Sequence, residues 1–143
     1  MKKAVLVIDD NEELAALLMS HFTDLGFSAF TAPEGKTGVE MALKLNPDVI
    51  TMDFSMPGAN GAEVYRELRR HPQTATIPVV FFSSIVTGLI RRMVPESPLV
   101  RFMKKPCPIT EIGEAVSELA ALPRLSPPPP PPGAAGRNSP DGD

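Results

Sequence analysis

The chain predicts an α/β fold, a doubly wound parallel sheet of five strands alternating with five helices. Three observations carry this. Short apolar runs recur at intervals, bounded by acidic, glycine or proline residues. Between most of them lie stretches of 10 to 14 residues with apolar side chains at helical spacing. Runs such as Val49–Met52 also lack polar alternation, as strands covered on both faces do.

The elements follow in order. Ala4–Ile8 is a first strand ending at Asp9 and Asp10. The stretch 12–25 places Leu14, Leu17, Leu18, His21, Phe22 and Leu25 on one stripe of a helix that Gly26 stops. His21 on that stripe reads as a packing residue. A second strand is expected over 27–31, then a helix over Gly35–Leu45 that Asn46-Pro47 ends, because the residue before proline avoids helical geometry. After the strand Val49–Met52, the helix Gly61–Arg70 shows an apolar face of Val64, Tyr65 and Leu68, with Arg66, Glu67, Arg69 and Arg70 toward water. The run 77–82 reads as a central strand. Over 86–94 the pattern supports two helical turns, limited by Gly88, Pro95 and Pro98. A strand ending at Met103 precedes the Lys105-Pro106 corner, and Ile109, Ile112, Val116, Leu119 and Leu122 mark a last amphipathic helix.

These elements occupy residues 1–122, one domain by size. Residues 123–143 hold eight of the 17 prolines, six of them consecutive at 127–132, and are expected to form a disordered proline-rich tail. Such a tail suits a solvated terminus, a linker, or a ligand for an aromatic groove. A net charge of −3 argues against direct nucleic-acid binding. The lone Cys107 forms no internal disulfide and is expected to be a small buried or half-buried hydrophobe. No run approaches a membrane span, and the start carries no secretory pattern, so the expected location is cytoplasmic without membrane insertion.

In an open parallel sheet, ligands collect outside the carboxyl ends of the strands. There the sequence puts Asp9, Asp10, Asp53, Ser83 and Lys105. Three carboxylates so gathered repel, and one lysine cannot neutralise them. A hard divalent ion with oxygen ligands can, and Mg²⁺ in particular also accepts a phosphate oxygen. Asp53, exposed by the turn that follows it, is the candidate nucleophile toward phosphorus. Asp9 and Asp10 can hold the metal, while Ser83 offers a hydroxyl and Lys105 an ammonium to the phosphoryl oxygens.

These residues resemble the receiver domain of bacterial response regulators in two-component signalling, of the CheY-like, single-domain type. The resemblance covers Lys3 to about Leu122. It rests on Asp9-Asp10, the segment 52–61 (MDFSMPGANG), Ser83 and Lys105-Pro106, spaced 43, 30 and 22 residues apart from Asp10 onward. It implies a flavodoxin-like sheet of order 2-1-3-4-5. It further implies phosphoryl transfer to Asp53 from a sensor histidine kinase or phosphotransfer protein, with Mg²⁺ held by Asp10 and Asp53, by Asp9 through water, and by the Ser55 carbonyl. Ser83 and Phe102 would be the switch, Phe102 turning inward as Ser83 moves, so that binding to a downstream protein changes. Lys105-Pro106 would be cis. Receivers of this kind also often pair as homodimers through their fourth and fifth elements.

The chain departs from the family at three places. Phe102 replaces a frequent tyrosine, Ser84 stands where alanine is usual, and the segment 86–98, with Arg91-Arg92 and two prolines, differs from a longer and often acidic helix. Two other functions compete. One is a pseudo-receiver, an interaction module of this fold that is never phosphorylated. The other is an aspartyl-phosphate phosphatase, which needs a second carboxylate two residues after the nucleophile; that position is Ser55. The expected class is therefore a phosphoacceptor signalling domain and not a turnover enzyme.

Overall fold

The computed structural model describes residues 2–56, 58–84 and 88–124. Pro57, Val86 and the proline-rich tail from residue 125 onward lie outside the described residues. Among those described, five parallel strands form one sheet: β1 (Ala4–Ile8), β2 (Ser28–Ala32), β3 (Val49–Met52), β4 (Val79–Ser83) and β5 (Val100–Lys104), in the order β2-β1-β3-β4-β5. The helices are α1 (Glu12–Asp24), α2 (Gly35–Leu45), α3 (Gly61–Arg70), α4 (Gly88–Met93) and α5 (Ile109–Ala120). Both sheet order and helix number are those the sequence implied.

Strand periodicity splits the core into two layers. Leu6, Ile8, Ile50, Met52, Val79 and Phe81 face one way and meet Ala42 of α2 and Ala62, Val64 and Leu68 of α3. Val5, Val7, Val49, Val80 and Phe82 face the other way and meet Ala15, Leu18 and Phe22 of α1 and Ile112, Val116 and Leu119 of α5. With helices on both faces, the central strands need apolar side chains throughout, hence the unbroken runs in the sequence.

The helix α1 is rotated from the expected stripe. Ala15, Leu18 and Phe22 form its buried line, while Leu17 is 57% and Leu25 47% exposed. A line at i, i+3 and i+7 already fills the space against the sheet, and Leu17 lies about 100° from Leu18 around the helix. His21 does pack: a Cβ on Gly113 of α5 would come 2.6 Å from its Nε2. On α2, Gly38 allows close approach to β1, since a Cβ there would lie 2.6 Å from Ile8 Cδ1.

Arg69 is a second correction. It is half-buried, its Nη1 donating to the carbonyls of Ile77 at 2.8 Å and Thr74 at 3.3 Å, and its guanidinium lies 4.5 Å from the Tyr65 ring centroid. The turn from α3 to β4 leaves carbonyls without strand partners, and Arg69 supplies the donors. Residues 77 and 78 lead from that turn into the strand, the Pro78 carbonyl accepting the Ile50 N–H at 2.9 Å, and β4 itself starts at Val79, two residues later than the apolar run suggested. After α5, Arg124 donates to the Pro47 carbonyl at 3.2 Å and ties the chain to the α2–β3 corner. No helix among the described residues is long and apolar enough to cross a membrane.

Candidate functional site

The site grows from strand ends. Asp9 follows β1, and its N–H donates to the Ala32 carbonyl at 3.0 Å, keeping it in line with β2. Asp53 follows β3, with its N–H on the Ile8 carbonyl at 3.0 Å, so it stands beside the acidic pair. Lys105 follows β5, and its N–H donates to the Ser83 carbonyl at 2.9 Å. Backbone pairing therefore fixes the relative positions of Asp9, Asp53, Ser83 and Lys105.

Helix capping leaves the acids available. The N-cap of α1 is Asn11, whose side chain accepts the Leu14 N–H at 3.0 Å; neither aspartate of the pair fills that role. Asp9 instead accepts the Asn11 N–H at 2.9 Å through Oδ1. At α3, Asn60 and Glu63 form a reciprocal capping box, and Gly61 brings the helix start against the turn after β3. A Cβ at Gly61 would meet Phe54 Cα at 2.9 Å and the Asp53 carbonyl oxygen at 3.1 Å. Gly61 thus sets how closely α3 supports the loop carrying Asp53.

One carboxylate oxygen from each of Asp9, Asp10 and Asp53 lies within 4.8 Å of the others. At that separation each like-charge pair costs about 3 to 4 kcal/mol at a surface-like dielectric. Lys105 Nζ sits 3.2 Å from Asp9 Oδ2 and 3.6 Å from Asp53 Oδ2. One ammonium against three carboxylates leaves the cluster negative. Asp9 is 4% exposed, and its burial pushes its carboxyl above the ordinary carboxylate range. The Asn11 N–H and Lys105 pull it down, and the charge of Asp53 adds to the upward push.

Oxygen-only donors, excess negative charge and partial exposure fit a hard divalent cation such as Mg²⁺. Ser83 is buried at the end of β4, next to the strand bearing Asp53. Ser55 is exposed, and its N–H reaches Asp53 Oδ1 at 3.3 Å. Phe102 is half-buried on β5, stacked on Phe81 with centroids 5.5 Å apart and 14° between planes. The Lys105-Pro106 peptide is cis. Phe82 is a neighbour the sequence reading did not single out: its ring centroid lies 5.3 Å from Lys105 Nζ. Its place one residue before Ser83 on a strand buried on both faces was the available signal.

Comparison with known proteins agrees with this geometry. Residues 5–117 match the family described as Response regulator receiver domain. The response regulator PleD of Caulobacter vibrioides is 36% identical over 106 residues, covering 74% of this chain but only 23% of PleD. This chain therefore spans less than a quarter of that relative's length. Protein Rrf1 of Nitratidesulfovibrio vulgaris is 33% identical over 97 residues, covering 68% of this chain and 69% of Rrf1. The chemotaxis protein CheY4 of Vibrio cholerae superposes with a TM-score of 0.77 at 20% identity, over 83% of this chain and 99% of that one, a likeness of fold. Because the family match takes in all five strands and the acids, hydroxyl and lysine at their ends, the chain belongs to the receiver domains of two-component response regulators.

Proposed function

We propose that this receiver takes a phosphoryl group onto Asp53 from a sensor histidine kinase or phosphotransfer protein, in a Mg²⁺-dependent reaction, and thereby switches its binding to a downstream protein. The observation that carries the reading is the cluster of three carboxylate oxygens within 4.8 Å, with the Lys105 ammonium against two of its members. A bound Mg²⁺ would offset the negative charge and draw a phosphate oxygen toward the nucleophile. Asp10 and Asp53 would hold it by side chain, Asp9 through water and Ser55 through its carbonyl.

The chain's own groups do the rest. The Asp53 carboxylate attacks phosphorus and the donor's leaving atom departs from the opposite side. Lys105, already 3.6 Å from Asp53 Oδ2, takes up the charge on one phosphoryl oxygen, and the Ser83 hydroxyl donates to another. Ser83 moving toward that oxygen leaves space that the Phe102 ring enters, which carries the change to the surface of α4 and β5. Hydrolysis at Asp53 resets the switch.

The setting proposed is cytoplasmic, within residues 1–122, with residues 123–143 as a tail. Homodimerisation through the α4–β5 face and contact with a downstream protein complete the proposed partners, without direct nucleic-acid binding. Incubation with Mg²⁺ and acetyl phosphate, followed by intact-mass measurement, tests this. One phosphoryl group should add in wild type and none in Asp53→Asn or with Mg²⁺ chelated. An unmodified wild type would make the chain a pseudo-receiver.

A further inference from the structure

The segment least like the family holds the candidate switch ring. Arg91 of α4 places its guanidinium carbon 4.9 Å from the Phe102 ring centroid, while Phe102 itself stacks on Phe81. Arg91 Nη1 lies 3.6 Å from Glu96 Oε2, in the connection between α4 and β5. The Arg91 side chain is 48% exposed. A half-exposed guanidinium over an aromatic face gains the ring's quadrupole attraction, with the exposed Glu96 carboxylate beside it adding little. Phe102 thus lies between two partners, stacked on Phe81 and covered by Arg91.

We propose that Arg91 is a positioning residue for Phe102, holding the ring in its resting rotamer and so setting the equilibrium that phosphorylation of Asp53 must overcome. The inference rests on the switch role proposed for Phe102. Two influences on one two-state element are linked: whatever favours the resting rotamer weakens activation by the same factor. An exposed cation–π contact corresponds to a population ratio of about two- to five-fold. Loss of Arg91 should therefore favour the activated form by that factor.

The test uses the full chain with labelled phenylalanine rings and labelled backbone amides, read by NMR, in wild type, Arg91→Ala, Arg91→Lys and, as a control on the same helix, Arg92→Ala. In metal-free protein, Arg91→Ala should shift the Phe102 rotamer ratio about two- to five-fold, Arg91→Lys by less, and Arg92→Ala not at all. In Mg²⁺, the beryllofluoride concentration for half-saturation should fall in Arg91→Ala, by up to that factor where the resting form dominates. Unchanged Phe102 signals in Arg91→Ala, an equal response in Arg92→Ala, or weaker beryllofluoride binding in Arg91→Ala would each overturn the inference. Failure of the switch reading looks different. Beryllofluoride would then shift the Asp53 amide in wild type and leave Phe102 signals unmoved, while the metal-free rotamer ratio still reports on Arg91.

Discussion

Replacing Asp9 with asparagine should stabilise the metal-free protein and reduce its response to Mg²⁺. The new side chain keeps an oxygen for the Asn11 N–H, now 2.9 Å from Asp9 Oδ1, and removes one charge. Two repulsions vanish, with Asp10 and Asp53, whose oxygens lie within 4.8 Å, together about 7 kcal/mol at a dielectric of ~20. One attraction is lost, to Lys105 at 3.2 Å, about 5 kcal/mol on the same scale. The Coulombic balance favours the substitution by about 2 kcal/mol, and relief of burying a charge acts in the same direction. Solvent screening at exposed Asp10 trims this, leaving about 1 to 2 kcal/mol, or roughly 4 to 8 °C in Tm for a domain of this size.

Thermal unfolding followed by circular dichroism near pH 7.5, with chelator and then with Mg²⁺, reads both effects. Wild type at ten times the Mg²⁺ Kd gains about 1.4 kcal/mol, and Asp9→Asn should gain clearly less. The sign with pH follows from the raised Asp9 carboxyl. Folded protein holds a proton there that unfolded chain releases earlier, so this group's contribution falls as pH rises from the ordinary carboxylate value through the raised one. Mg²⁺ needs the carboxylate, so its affinity should weaken as pH falls through that window, and Asp9→Asn should flatten the slope. A lower metal-free Tm for Asp9→Asn, or an undiminished Mg²⁺ increment, would refute the electrostatic reasoning.

Three further outcomes are expected. Lys105→Met leaves the carboxylates without their ammonium: metal-free Tm should fall, Mg²⁺ affinity measured by calorimetry should rise about ten-fold, and phosphoryl uptake from acetyl phosphate should slow by about 100-fold or more. Thr51, buried on β3 between Val7 and Val80, has a hydroxyl with no hydrogen-bond partner among the described residues, so Thr51→Val should raise the urea midpoint by about 1 kcal/mol equivalent at unchanged m. Gly61→Ala pushes a methyl onto backbone atoms of Phe54 and Asp53, which cannot rotate away. It should cost about 1 to 3 kcal/mol and slow Asp53 modification more than an equally destabilising change remote from the site.

Strand ends were legible because β1, β3 and β4 are buried on both faces, which forces apolar runs whose first polar residue marks the rim. That rule found Asp9 and Ser83 directly; on β3 it passes the buried hydroxyl of Thr51, and the first charged residue, Asp53, marks the rim. Helix faces were less legible where leucines surround the axis: α1 offers more apolar side chains than its contact uses, so Leu17 and Leu25 fall outside. Arg69 looked solvated because an arginine's stem and head can serve different surroundings, and its acceptors are carbonyls, which sequence does not mark. The Asn11 cap was hidden behind the acidic pair, whose residues are equally good caps in isolation. The contact of Arg91 with Phe102 joins α4 to β5 across a proline-rich connection and has no periodic signal.

Locating the phosphoryl group tests the central claim most directly. Protein incubated with Mg²⁺ and a phosphohistidine donor, then reduced with borohydride, should carry its modification on the peptide containing Asp53, as homoserine at that position. Modification elsewhere, or labelling of Asp53 that proceeds equally well without a divalent cation, would contradict the account.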